Sequence, residues 1–157
     1  MPEVTPVLAP EPNAPSTLLA FDFGRKRIGV AIGNTLTQTA RPLTTLHAER
    51  REAREAALRA LISEWQPQKL IVGFPVHVDG AEHEMTQHAR RFARWLEEMF
   101  RLPVALVDER LTTQVAQSLL EESGQYGGHG GKAARAMRDA VAAQVILQAY
   151  FDEGENK

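Results

Sequence analysis

The chain has 157 residues, 43% hydrophobic and 24% charged, which fits one folded domain with a real core and excludes a wholly disordered chain. No apolar run nears the ~18–20 residues of a transmembrane helix, no basic-then-apolar leader opens the chain, and the absence of cysteine removes disulfides, thiol catalysis and thiolate metal sites, so the expectation is a cytoplasmic protein with no membrane partner. The formal net charge of −2 counts against a nucleic-acid binder, since such domains are commonly basic.

Residues 1–16 hold five of the nine prolines and no apolar periodicity, which reads as a flexible, extended tail ahead of a folded domain over 17–157. Residues 17–23 (TLLAFDF) form a mostly apolar strand and 27–33 (RIGVAIG) a second. Only Gly24, Arg25 and Lys26 separate them, so they make a hairpin. Residues 37–47 (TQTARPLTTLH) give a third strand, with Pro42 confining it to an edge or a bulge. Leu58, Leu61, Ile62 and Trp65 then recur with a helical period that Pro67 ends. The run 69–74 (KLIVGF) is typical of a central parallel strand covered on both faces.

Met85, Ala89, Phe92, Leu96 and Met99 define a second amphipathic helix. A buried strand follows over 103–108 (PVALVD), then a helix over 112–122. Residues 123–131 (SGQYGGHGG), with five glycines in nine, form a mobile loop, and 132–150 form an alanine-rich final helix. Three hairpin-connected strands followed by two crossover-connected ones imply a mixed five-stranded sheet with helices on its faces.

Two buried strands end in acids. Asp22 lies near the end of the first strand, and Asp108 and Glu109 close the fifth. A charge there costs several kcal/mol unless it is paired or binds a cation. In a parallel arrangement these strand ends share one sheet edge, where open α/β sheets place ligands. Asp139 borders the apolar stripe of the final helix. Three carboxylates without cysteine or paired histidine are oxygen ligands suited to Mg²⁺ or Mn²⁺. Two such ions about 3.5–4 Å apart can promote phosphodiester hydrolysis. The competing reading of each acid is a helix cap or an ion pair with a neighbouring Arg. Alternation puts Asp108 and Glu109 on opposite faces, both apolar, and leaves open which is the ligand.

Four blocks resemble the YqgF/RuvX family of Holliday-junction-resolvase-like nucleases: 19–32 (LAFDFGRKRIGVAI), 71–80 (IVGFPVHVDG), 107–113 (VDERLTT) and 139–147 (DAVAAQVIL), in the family's order. The resemblance implies a ribonuclease H-like fold and a Mg²⁺- or Mn²⁺-dependent nuclease. It further implies action on the 5′ end of pre-16S rRNA, on branched DNA, or on both. The family's acids fall on Asp22, Glu109 and Asp139, so the choice of Glu109 over Asp108 comes from the resemblance. His77 stands where the family commonly has Asn, and Asn34 where Asp is frequent. Neither touches the three acids, but both bear on substrate preference.

The charge total also hides its own distribution. Of 18 basic residues 14 are Arg, whose planar fork suits phosphate. Arg25, Lys26 and Arg27 follow Asp22, Arg110 follows Glu109, and Lys132, Arg135 and Arg138 precede Asp139. All flank the metal edge and are expected to contact nucleic acid together with Thr112, for which helix capping is the competing role. His129, on the glycine loop, is the candidate to approach the metal and assist product release, while His83 and His88 miss the spacing of a helical zinc pair and read as surface residues. Trp65 and Trp95 read as core.

Two other chemistries fit less well. Asp22-Phe-Gly24 with Gly29 resembles the phosphate loop of actin-like and sugar kinases, which need two such domains where this chain has room for one. The glycine spacing also misses the dinucleotide fingerprint. A non-catalytic nucleic-acid or ribosome-assembly binding protein is the rival function. Oligomeric state is open between monomer and homodimer.

Overall fold

Alternating side-chain size divides the sheet into a bulky face and a small-residue face, and this division sets the layering. The computed structural model describes residues 16–74, 84–109 and 131–154. The expectations for 1–15 and 75–83, for the helix over 112–122 and for the glycine-rich loop up to 130 lie outside those residues. Strand β1 (Thr17–Phe23) pairs antiparallel with β2 (Arg27–Asn34), and β2 with β3 (Thr39–His47). Helix α1 (Arg51–Trp65) leads into β4 (Lys69–Phe74), which is parallel to β1. Helix α2 (Glu84–Phe100) precedes β5 (Val104–Asp108), which is parallel to β4, so the sheet order is β3-β2-β1-β4-β5. Helix α3 (Lys132–Gly154) ends the described chain. This is the mixed five-stranded sheet expected from the sequence.

Some boundaries move for local reasons. Strand β3 starts at Thr39, not 37, because Asn34 Oδ1 accepts hydrogen bonds from the amides of Leu36 (2.9 Å) and Thr37 (3.1 Å), holding a turn that passes through Gln38 at φ 54°. Helix α3 runs to Gly154, past the expected end at 150, because Phe151, 3% exposed, continues its apolar stripe. Pro42 sits where expected, on an edge strand and at a bulge: Val30 pairs with Thr44 and Ala31 with Pro42, so Leu43 is the extra residue.

On the bulky face Leu19, Phe21, Val30 and Val72 meet Leu58 of α1 and Phe92 and Leu96 of α2. The rings of Phe21 and Phe92 pack edge to face with centroids 5.8 Å apart. Trp65 and Trp95 pack against this cluster, as expected. Met99, assigned from sequence to the buried stripe of α2, is instead 38% exposed at its margin.

The other face carries Leu18, Ala20, Ala31 and Ile71 against Ala143, Ile146 and Leu147 of α3. Small residues let the helix sit low on the strands. A Cβ at Gly29 would fall 1.8 Å from the carbonyl oxygen of Asp139, so this helix–strand approach requires glycine. Polar side chains then fasten α3 along the edge strand. Thr45 Oγ1 donates to the Ala136 carbonyl (2.6 Å), Gln144 Nε2 donates to the Ala40 carbonyl (3.0 Å), and the Ala40 amide donates to Gln148 Oε1 (3.2 Å). The free backbone groups of β3 are thereby covered in part. Among the described residues no helix is long and apolar enough to cross a membrane.

Candidate active site and nucleic-acid interface

Asp22 shares the α3 side of β1 with Leu18 and Ala20 by alternation. Its register partners are Gly29 on β2 and Gly73 on β4. Neither offers a side chain, so neither register partner covers the Asp22 carboxyl. Gly29 has a second effect, since it admits the turn of α3 that bears Asp139. On β5, Val107 packs in the α3-side cluster, so alternation puts Asp108 on the opposite side, while Glu109, just past the strand, is near enough to Asp22 to share a hydrogen bond with it. Glu109 therefore faces Asp22 on the side of the sheet that α3 covers.

The three acids influence one another. Burial is the largest effect holding the Asp22 carboxyl well above the usual carboxylate range, followed by the charge of Glu109, a hydrogen bond to Glu109 and the charge of Asp139. Crowded acidic oxygens with no imidazole or thiolate among them are a donor set fitted to a hard divalent cation. Asp139 has a partner of its own, however: its Oδ2 accepts a 2.5 Å hydrogen bond from Arg27 Nε within an ion pair. Among the described residues no group of three or more His, Asp and Glu side chains closes around a metal position. For Asp139, then, the structure shows the competing ion-pair reading, while Asp22 and Glu109 stand together.

The expected nucleic-acid contacts separate into groups. Lys26, Arg27, Lys132 and Arg135 converge on one cleft of about 200 Å³ between the β1–β2 hairpin, the end of β3 and the start of α3. Its wall also includes Thr45, His47 and Glu49, which sequence reasoning missed. The signal for the first two was strand parity, since Thr45 and His47 share a face of β3 and His47 is the register partner of Arg27. Arg25 points elsewhere, pairing with Glu84 at 2.7 Å, and His88 lies 3.4 Å from the same carboxylate. Arg138 is exposed on α3 outside the cleft wall. Arg110, Thr112, His83 and His129 lie outside the described residues.

This sheet order with its helices defines a class, the ribonuclease H-like resolvase fold. Thermus thermophilus RuvC, solved in complex with a Holliday junction substrate, matches it with a TM-score of 0.59 over 90% of this chain and 97% of that one, at 16% identity. The yeast mitochondrial Holliday junction resolvase matches with a TM-score of 0.51 over 87% of this chain and 78% of its own, at 10% identity. At these identities the likeness is one of fold. The RuvX family model, described as Holliday junction resolvase, matches residues 16–153, and the chain belongs to that family. A relative from Dechloromonas aromatica (strain RCB), named "Putative pre-16S rRNA nuclease", is 52% identical over 136 residues, spanning 87% of this chain and 90% of the relative. A relative of the same name from Nitrosomonas europaea is 54% identical, spanning 87% and 89%. With the family comes the reaction class, hydrolysis of phosphodiester bonds.

Proposed function

We propose that this chain is a Mg²⁺- or Mn²⁺-dependent nuclease of structured nucleic acid, acting in the cytoplasm on the 5′ end of pre-16S rRNA, with branched DNA as its second substrate. The names of relatives at about half identity support the RNA substrate, and the family's description supports the junction. Asp22, Glu109 and Asp139 would hold the metal, Asp139 by exchanging Arg27 for the cation. A bound divalent ion supplies Lewis-acid polarisation of the scissile phosphodiester. The three carboxylates orient that centre, and Lys26, Arg27, Lys132 and Arg135 hold the flanking backbone by its phosphates. Arg25, Arg110, Thr112 and Arg138 extend that contact surface.

One observation carries the reading. A carboxyl near the end of a buried strand lies between two glycines with two further acids close by, and burial and those neighbouring charges push its pKa well above the usual carboxylate range. Folding alone does not favour that arrangement, and a cation relieves it. The test is cleavage of labelled 5′-extended 16S precursor RNA and of four-way DNA junctions with Mn²⁺, comparing wild type with Asp22→Asn. Loss of cleavage on at least one substrate in the variant is expected. Equal cleavage by both proteins sinks the assignment, and binding without cleavage by the wild type returns the non-catalytic binding protein. Symmetric junction cutting requires two opposed sites, so native mass decides between monomer and homodimer for that substrate.

A further inference from the structure

We propose that the cleft holding Lys26, Arg27, Lys132 and Arg135 is a discrete phosphate subsite, separate from the carboxylates and reading the strand at a second phosphate. The inference rests on the nucleic-acid reading above and adds where, and through which residues, the strand is gripped.

Three observations converge on it. The first is size: about 200 Å³ is below the ~300–1,000 Å³ of sites that enclose a small molecule, so it suits a phosphate group and not a whole nucleotide. The second is charge. Four cationic side chains face one carboxylate, Glu49, and among the described ion pairs only Arg27 of the four takes part. The third is local sequence. The N-terminal turn of a helix favours acids, because its exposed amides carry partial positive charge. Helix α3 has no acid in its first turn and instead places Lys132 there, with Arg135 three residues on along the same side. Cations at that end raise an already positive potential, which an oxyanion offsets.

The site is also built to stay in place. Thr45 Oγ1 donates to the Ala136 carbonyl at 2.6 Å, fixing the start of α3 against β3, and the Ala48 amide donates to the Lys26 carbonyl at 2.8 Å, fixing the hairpin. Arg27 stands between the two centres, lining the cleft while pairing with Asp139. The ligand is a phosphate oxyanion, either internal to the strand or at its 5′ end.

The test uses the full chain as wild type, as Lys132→Ala/Arg135→Ala, and as Arg91→Ala/Arg94→Ala. The last pair removes the same charge from exposed positions of α2, on the opposite face of the sheet. Fluorescence anisotropy in EDTA follows a labelled structured RNA, prepared with a 5′-phosphate and with a 5′-hydroxyl, over a range of salt. The cleft variant is expected to bind about tenfold more weakly at 0.1 M salt, with a log–log salt slope shallower by about 0.7–0.9 for one lost phosphate contact. Inorganic phosphate is expected to shift the amide resonances of the first turn of α3 in the wild type and not in the variant. Loss on both RNAs assigns an internal phosphate, and loss on the 5′-phosphorylated RNA alone assigns a terminal one. Affinity and slope matching those of the α2 variant overturn the subsite. Cleavage with Mn²⁺ is run in parallel. An inactive wild type whose affinity still depends on Lys132 and Arg135 defeats the nuclease reading and keeps the subsite, and an active wild type indifferent to both does the reverse.

Discussion

A carboxyl near the end of a buried strand, hydrogen-bonded to Glu109 and exposed to the charge of Asp139, ties the stability of the protein to pH through Asp22. The proton is bound more tightly in the folded state than in the unfolded chain. Metal-free stability from this group is therefore fully present below the ordinary carboxylate range, near pH 4, and is lost as pH rises through the elevated folded-state pKa. Asp22→Asn keeps the shape and removes the charge. In EDTA at pH 8 the variant is expected to melt above the wild type, by about 2–4 °C per kcal/mol relieved at this chain length, with the gap closing toward pH 4. Mn²⁺ is expected to raise the melting temperature of the wild type and to leave that of the variant nearly unchanged. Thermal melts at the two pH values check both effects. A variant melting at or below the wild type in EDTA at pH 8 removes the argument that burial and like charge strain an ionised Asp22.

At the scale of elements, glycines on the α3 face decide how near Asp139 comes to Asp22. Gly29 and Gly73 flank Asp22 on β2 and β4, and a Cβ at either meets α3, but not with equal consequence. At Gly29 the obstacle is backbone, the Asp139 carbonyl oxygen at 1.8 Å, so the whole helix must lift. At Gly73 it is the Ile146 side chain, whose Cδ1 lies 2.2 Å away and can rotate. Gly29→Ala is expected to cost about 1–3 kcal/mol, the range for overpacking, and Gly73→Ala less. Cleavage at equal folded fraction should fall further in Gly29→Ala, because Asp139 moves with its helix. Urea unfolding beside a cleavage assay separates the two. These glycines also mark what was legible in the sequence. The strands and helices were readable because their periods are local, and β1, α1 and β4 end where the pattern says. The placing of Glu109 beside Asp22 was not, because it depends on which sheet face α3 covers, a contact between residues far apart in the chain. The wall of the basic cleft was hidden for the same reason. His47 meets Arg27 only through a β2–β3 register that shifts at the Pro42 bulge.

Across the whole molecule a net charge of −2 joins two neighbouring regions of opposite sign. The basic cleft attracts a phosphate backbone, while the adjoining carboxylates repel it unless a cation covers them, and Arg27, paired with Asp139, lies on the boundary. Charges ~10 Å apart interact by about 0.4–1.7 kcal/mol between water-like and surface-like dielectrics, and by about a third of that at 0.1 M salt, where this distance is one Debye length. Neutralising acids in the site should therefore strengthen binding as it abolishes cleavage, which a merely destabilising change would not do. Asp22→Asn/Glu109→Gln is expected to bind structured RNA about three- to tenfold more tightly than the wild type in EDTA, and Mn²⁺ should narrow the gap by covering the wild-type carboxylates. Glu52→Gln/Glu98→Gln, at exposed positions of α1 and α2, removes the same charge from the opposite face and should leave affinity unchanged. If both pairs raise affinity alike, total charge governs recognition and the local arrangement does not. If only the site pair does, the near-neutral sum conceals a recognition surface whose negative half requires a metal before nucleic acid can bind at full strength.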